Sequence, residues 1–360
     1  MKVVITGGHL SPAIAVIEKL KNSETVFIGR RYGLEGDKAE SYEYKIIKSL
    51  GIPFFEIKTG RLQRKITKNT IPSFFKIPAG FLKSLQILRQ TKPDVVLGFG
   101  GYVSLPVIFA AYFLKIPIVI HEQTLESGIA NKIAAYFAKT VCVSWPSSLK
   151  YFPKRKTVIT GNPLREEILN IKSQKIDTTD NLIYITGGSL GSHQINILVE
   201  QVLERLLENF KIIHQVGDSK EFNDYERLFK KRKKLPQDLQ EKYSIFKFIE
   251  KEKVGEIINK AGFVIGRSGI NTVSELIYLN KPAILIPLSF SQKNEQLKNA
   301  LFAKEVGLVE VLSGKIEPKD LLEEVVKITS EINNYKVNKN FLIKENAAEL
   351  IVEELKKSLK

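Results

Sequence analysis

Short apolar runs and longer amphipathic stretches take turns along almost the whole chain. The runs at 2–5 (KVVI), 26–28, 54–57, 93–97, 118–120, 140–144 and 158–159 are rich in β-branched residues. Nearly continuous apolar character is the mark of strands buried on both faces, as in a parallel sheet. Helical spacing fills the gaps: 13–20, with Pro12 at an N1-like position, a helix ending at 46–50 before Gly51, then 107–114 and 129–138. The alternation restarts after residue 181. Strands are predicted at 182–185, 211–215, 245–248, 263–265 and 283–287, with a long helix at 194–207, another from Thr272, and a charged amphipathic helix at 346–359. Strands alternating with helices specify an α/β fold with a parallel sheet.

The restart is also a repeat. Ile5-Thr6-Gly7-Gly8 recurs as Ile185-Thr186-Gly187-Gly188, each time between a strand and a helix. Two similar Rossmann-like domains are therefore expected, 1–163 and 164–343, with the polar segment 164–181 as linker. Two such sheets facing each other would form a central cleft, because parallel sheets bind ligands outside the carboxyl ends of their strands. The loops 266–272 and 289–296 would stand at that edge of the second sheet.

Composition narrows the setting. One cysteine, Cys142, excludes an internal disulfide and a cysteine metal cage, and suits a reducing compartment. MKVVITGG reads as a first strand and not a signal peptide, and the sequence holds no run of about 18 apolar residues, so a cytoplasmic protein is expected. The net charge is +16. Between Glu56 and Asp94 there is no acidic residue, and nine basic residues interleave with Phe74, Phe75, Ile77, Phe81, Leu82 and Leu85. That mixture suits an anionic membrane surface, or else a core helix with a solvated basic face. The cluster 230–234 reads as a solvated loop. No nucleic-acid-binding motif is present, so nucleic acid is not an expected partner.

Several residues stand where chemistry would occur. A helix starting near Thr272 would offer free N–H groups to an anion. Thr272-Val273-Ser274-Glu275 fits a capping box, and equally places the Glu275 carboxylate for a pair of ribose hydroxyls. The loop TGGSLGS at 186–192 offers N–H groups and the Ser189 hydroxyl to a phosphate, or is a plain tight turn. Arg165, after Gly161-Asn162-Pro163, could grip a diphosphate bidentately, or be a surface residue at a helix start. His9, in the first glycine loop, has the pKa range of a general base, or enters the helix by bonding backbone. Glu122 could orient the acceptor or help remove its proton, or cap the next helix; Tyr102 could bond in the cleft or pack. No Asp-x-Asp, His-x-x-x-His or Gly-Lys-Ser/Thr occurs. A metal site is therefore not expected, and leaving-group charge would fall to loop N–H groups, helix dipoles and Arg165.

Taken together, TGGHLSPAIAV (6–16), GFGGYVSLPV (98–107), IPIVIHEQ (116–123), GNPLREEIL (161–169), ITGGSLGSHQIN (185–196), RSGINTVSEL (267–276) and EQLKNA (295–300) resemble the MurG family of peptidoglycan N-acetylglucosaminyltransferases. The resemblance implies a two-domain GT-B glycosyltransferase needing no cofactor. It would transfer N-acetylglucosamine from UDP-N-acetylglucosamine to the muramyl 4-hydroxyl of lipid I, with inversion, giving lipid II at the inner face of the cell membrane. Carried over, Arg165 and Ser189 contact the donor diphosphate, and Ile249 with Ile270, Asn271, Thr272, Val273, Ser274 and Glu275 frames uracil and ribose. Gln296 and Asn299 hold the donor sugar. Thr6, Gly7, Gly8, His9, Tyr102, Glu122 and Thr124 form the acceptor side, 58–92 the membrane-facing patch, and helix 344–360 returns to the first domain. Three departures stand out. The first glycine loop is shorter than the family's GGGTGGH, Thr124 replaces an asparagine after HEQ, and Leu190 replaces a glutamine in the second loop. A related enzyme with another acceptor, a UDP-N-acetylglucosamine epimerase, and a basic membrane- or nucleic-acid-binding protein are the competing readings.

Overall fold

A computed structural model describes the chain apart from residues 33–39, 60–69, 172–178, 189, 220, 289–293, 339–340 and 342; for 70–77, 179–180 and 251 only the backbone is described. Internal contacts divide it into two units, Met1–Arg165 with Lys344–Lys360, and Glu166–Ile343.

The first unit is built on seven strands, β1 (Lys2–Thr6), β2 (Glu24–Gly29), β3 (Phe54–Glu56), β4 (Val95–Gly98), β5 (Ile118–Glu122), β6 (Thr140–Val143) and β7 (Thr157–Ile159). They are all parallel, in the order β3-β2-β1-β4-β5-β6-β7. The order reverses between β1 and β4, and the loops leaving those two strands open the crevice where such sheets hold ligands. Alternation of side chains feeds two cores. Val4, Val96, Ile120 and Val141 pack on one face beneath helices Thr70–Thr91, Ser104–Phe113 and Ile129–Phe137. Val3, Ile5, Val95, Leu97, Val119 and Cys142 pack on the other, under helix Leu10–Lys19 and the last helix, Ala347–Ser358. The last helix buries Ala348, Ile351, Val352 and Leu355 there, each larger aliphatic contributing about 1.5–3 kcal/mol. Lys19 pairs with Glu349 at 2.9 Å, and Lys139 Nζ donates to the Ser358 carbonyl at 2.9 Å.

The second unit repeats the plan with six strands: β8 (Thr179–Thr186), β9 (Lys211–Gln215), β10 (Tyr243–Phe246), β11 (Ala261–Gly266), β12 (Ala283–Leu285) and β13 (Val309–Val311). The order β10-β9-β8-β11-β12-β13 puts its switch point between β8 and β11. Helices His193–Asn209 and Pro318–Ser330 cover one face, and Lys251–Lys260, Ile270–Leu279 and Glu295–Glu305 the other.

Several local expectations are corrected. The first helix starts at Leu10, so Pro12 is its third residue, where a missing N–H still costs no helical bond. The helix expected from Thr272 begins at Ile270 with Gly269 as N-cap and no side-chain cap, so Thr272-Val273-Ser274-Glu275 is not a capping box. The strand read at 245–248 lies at Tyr243–Phe246 because its register follows β9, with Tyr243 paired to Ile212. Lys230, Lys231 and Arg232 form the last turn of helix Asp224–Arg232, where cations suit the dipole. Within the polar segment 164–181, Glu166–Ile171 is helical, with Ile168 and Ile171 buried, and β8 begins at Thr179.

Candidate active site

In the first unit, the loops following β1 and β4 meet backbone to backbone. The carbonyl of Thr6 accepts from Phe99 N–H at 2.7 Å, and Gly8 N–H donates to the Gly100 carbonyl at 2.9 Å. Only glycine fits at Gly7, where φ is +151° and an added Cβ would fall 2.7 Å from Phe99 Cβ. Gly101 also lies against Gly8, its added Cβ falling 3.2 Å from Gly8 Cα. This contact fixes where the chain emerges at His9, the N-cap of the first helix. The imidazole does not cap that helix, so the helix-entry alternative has no hydrogen bond behind it. Burial lowers the His9 pKa from 6.5, and the charge of Glu122 pulls the other way. A neutral imidazole at pH 7 is the form that accepts a proton.

Glu122, the last residue of β5, is buried and surrounded by donors. Thr124 N–H and Thr124 Oγ1 reach its Oε1 at 3.1 and 2.7 Å, and Gly128 N–H and Asn131 Nδ2 reach Oε2 at 3.0 and 3.1 Å. A carboxylate has about four acceptor positions, and these four donors occupy them. Glu122 therefore folds the turn 122–128 back on itself and fixes Gly128, the N-cap of helix Ile129–Phe137. Thr124 Oγ1 also approaches the Glu126 carbonyl. Asn131 Nδ2 bonds the His121 carbonyl as well, and Gly100 leaves room for this amide, since a Cβ there would lie 2.9 Å from Nδ2. Behind it, His121 is buried with Nε2 at 3.2 Å from the Gly161 carbonyl and 3.1 Å from Ser144 Oγ. The carbonyl requires Nε2–H, and burial takes the His121 pKa down to about 4, so this ring is neutral at pH 7. Tyr102, two residues past Gly100, lies under the Arg30 guanidinium, 5.0 Å from ring centre to Cζ.

In the second unit the loop after β8 is tight enough to demand its glycines. A Cβ on Gly187 would lie 2.2 Å from Ser192 N, and one on Gly191 1.9 Å from the Val216 carbonyl oxygen. Gly188 N–H donates to Thr186 Oγ1 and Gly191 N–H to the Gly188 carbonyl, both at 3.0 Å, which delivers the chain to helix His193–Asn209. Gln215, ending β9, donates from Nε2 to the Gly188 carbonyl at 3.0 Å and accepts from Ile249 N–H at 3.2 Å. Arg267, just past β11, reaches the Gly187 carbonyl at 3.2 Å, and burial lowers its pKa. Ser268 Oγ donates to the Gln296 carbonyl at 2.7 Å, Asn299 Nδ2 to the Ser268 carbonyl at 3.0 Å, and Leu288 N–H to Gln296 Oε1 at 3.1 Å. Ile249, Ile270, Val273, Ser274 and Glu275 are buried, whereas Asn271 and Thr272 are half-buried. Ser274 Oγ bonds back to the Ile270 carbonyl at 2.8 Å.

The structure thus gathers Thr6, Gly7, Gly8, His9, Tyr102, Glu122 and Thr124 at the carboxyl edge of the first sheet. Gln296, Asn299 and the start of helix Ile270–Leu279 gather at that of the second, as does Ile249 through Gln215. Arg165 is the last residue of the first unit, directly before helix Glu166–Ile171. Ser189 and the middle of loop 289–296 lie outside the described residues. Sequence reasoning assigned no role to Asn131, His121, Gln215 or Arg267. His121, Gln215 and Arg267 were legible as polar groups at or next to a strand's carboxyl end, but Asn131 sits inside an amphipathic helix and gave no such signal. Among the described residues no group of three or more His, Cys, Asp or Glu is placed to hold a metal ion.

Two family models cover most of the chain: the glycosyltransferase family 28 N-terminal domain over residues 3–143 and the family 28 C-terminal domain over 182–355. A Clostridium botulinum (strain Alaska E43) protein named UDP-N-acetylglucosamine–N-acetylmuramyl-(pentapeptide) pyrophosphoryl-undecaprenol N-acetylglucosamine transferase is 34% identical, over 100% of this chain and 98% of that one. A Lachnospira eligens protein of the same name is 34% identical over 94% and 93%. The crystal structure of Acinetobacter baumannii MurG superposes with a TM-score of 0.72 at 25% identity, covering 99% of this chain and 100% of that one. A Neisseria meningitidis UDP-GlcNAc 2-epimerase, 16% identical with a TM-score of 0.64, shares the fold. The two parallel-sheet Rossmann-like domains are those of a GT-B enzyme, and the chain belongs to glycosyltransferase family 28, within the MurG family of N-acetylglucosaminyltransferases.

Proposed function

We propose that this chain transfers N-acetylglucosamine from UDP-N-acetylglucosamine to the muramyl 4-hydroxyl of lipid I, with inversion, to give lipid II. The observation that carries the reading is the full-length 34% identity to proteins named for this transfer, and the two loop-lined sheet edges agree with it. The acceptor hydroxyl gives its proton to His9 as its oxygen attacks the anomeric carbon, and the bond from that carbon to the diphosphate breaks. His9 suits the base role better than Glu122. Its side chain makes no cap bond and burial lowers its pKa, whereas four donors already hold the Glu122 carboxylate. Glu122 then acts on the acceptor side by fixing the 122–131 turn and by stabilising the imidazolium that forms. Departing UDP is held in the second unit by the loop 186–192 with Ser189 and the N-terminus of helix His193–Asn209. Glu275 takes the ribose hydroxyls, Ile249 and the 270–274 segment frame uracil and ribose, and Gln296 and Asn299 hold the sugar. Thr124, where the family has an asparagine, bonds Glu122 through its N–H and its Oγ1.

The same reading puts the chain on the inner face of the membrane as a peripheral protein. Leu82, Tyr112, Phe113 and Tyr136 stand exposed, Phe113 against Phe81 and Tyr112 against Phe137. Tyr112 and Phe113 line a groove of about 630 Å³ together with Lys115, Ile116 and Lys139. Apolar side chains among lysines are what an anionic lipid surface binds, and no helix among the described residues is long and apolar enough to cross a membrane. Phe113→Ser should weaken sedimentation with anionic vesicles; unchanged binding would remove this surface from the account. The enzymatic reading is tested by UDP release from UDP-N-acetylglucosamine. Release that requires lipid I supports it, and donor consumption without any lipid would favour an epimerase.

A further inference from the structure

The short first glycine loop leaves fewer N–H groups for an anion than the family's longer one, yet the acceptor carries a diphosphate. A cation stands beside this loop that neither the motif nor the transfer reading uses. β1 lies between β2 and β4, with Thr6 level with Ile28 on one side and Gly98 on the other. The chains leaving β2 and β4 therefore emerge on either side of Gly7-Gly8-His9. Arg30, the first residue past β2, extends from one side and Tyr102 from the other, and they meet with the guanidinium 5.0 Å from the ring centre. Since Gly101 touches Gly8, the pair lies at the mouth of the glycine loop.

The seat is built. Arg30 N–H donates to Glu43 Oε1 at 3.2 Å and its carbonyl accepts from Ser41 Oγ at 2.7 Å. Glu43 packs so closely over the end of β2 that a Cβ on Gly29 would fall 2.1 Å from its Oε1. The neighbouring Arg31 is turned elsewhere, to Glu40 at 3.0 Å and the face of Tyr44. A guanidinium stacked by its face on an aromatic ring keeps its N–H donors in its own plane, in the fork that matches two phosphate oxygens. Burial raises the Glu43 pKa to about 7.

Resting on the acceptor reading above, we infer that Arg30, seated on Tyr102 across the loop Gly7–His9, binds the diphosphate of the lipid-linked acceptor. It replaces contacts that the shortened loop does not make. The experiment compares wild type, Arg30→Ala and Arg30→Lys in two assays. In turnover, Arg30→Ala should raise the KM for lipid I about tenfold to a hundredfold and leave the KM for UDP-N-acetylglucosamine within about twofold, with Arg30→Lys between, since one charge-assisted fork is lost. In thermal unfolding with UDP saturating the donor site, geranyl diphosphate should stabilise wild type and lose that effect in Arg30→Ala, while geranyl monophosphate stabilises neither strongly. An Arg30→Ala protein with normal unfolding temperature, unchanged lipid I KM and undiminished stabilisation by geranyl diphosphate overturns the inference. If wild type does not turn over lipid I but its stabilisation by geranyl diphosphate depends on Arg30, the acceptor reading fails and the diphosphate site stands.

Discussion

Glu122→Gln separates an organising carboxylate from a catalytic one. The substitution keeps the shape and turns one carboxylate oxygen into an NH2 group. Whichever oxygen is replaced, the new donor faces two donors, either Thr124 N–H with Thr124 Oγ1, or Gly128 N–H with Asn131 Nδ2. The Thr124 hydroxyl can turn fully to the Glu126 carbonyl, so the amide should choose that side, losing the bond from Thr124 N–H and the charge behind the other three. With hydrogen bonds to a charged group contributing about 1.5–3 kcal/mol and an unpaired buried donor costing about 1–3 kcal/mol, the net loss should be roughly 3 kcal/mol. At about 2–4 °C per kcal/mol for a domain of this size, the first unit should melt roughly 6–12 °C lower. Circular dichroism melts beside kcat measured well below the transition provide the assay. Organisation predicts a clear drop in melting temperature with a modest fall in kcat. A melting temperature within about a degree of wild type, together with a kcat reduced about a thousandfold, would identify Glu122 as the base and refute this reasoning.

Other consequences follow from single groups. His9→Gln should lower kcat about a hundredfold to ten-thousandfold with the donor KM little changed, and the acid limb of the wild-type kcat/KM profile should lie below pH 6.5 because burial lowers the His9 pKa; a limb above 6.5 would contradict it. Glu275→Ala should raise the KM for UDP-N-acetylglucosamine far more than it lowers stability, and equal losses would reduce Glu275 to a structural role. Glu43 titrates near 7 when folded against 4.5 for an ordinary glutamate, so the folded state holds the extra proton between those values. Its contribution is fullest below pH 4.5 and declines as pH rises to about 7, by on the order of 3 kcal/mol. Urea unfolding of Glu43→Gln should show this part of the slope gone; identical slopes in variant and wild type would contradict the assignment.

The alternation of apolar runs and amphipathic stretches was enough to read both sheets, because strands buried on two faces carry an unmistakable signal. The repeated ITGG marked the opening of both domains because glycines pressed against neighbouring backbone, as Gly7 is on Phe99, cannot be replaced by larger residues. Helix starts were less legible. Gly269 and His9 precede their helices without side-chain caps, so Pro12 and Thr272 drew the boundary inward. β13 (Val309–Val311) was not read, because Glu310 interrupts its apolar run. In the site, residue types at strand ends were readable, but which donors surround Glu122 depends on a turn that folds back on itself. The cross-loop roles of Gln215 and Arg267, and the meeting of Arg30 with Tyr102, arise from strand order, which brings residues distant in sequence to one edge.

The central claim is tested most directly by UDP release from UDP-N-acetylglucosamine with and without lipid I, with the lipid product identified by mass. The account predicts release only with lipid I, matched one for one by a lipid heavier by one N-acetylglucosamine. Full-length, folded protein on anionic vesicles that releases no UDP when lipid I is supplied would contradict it.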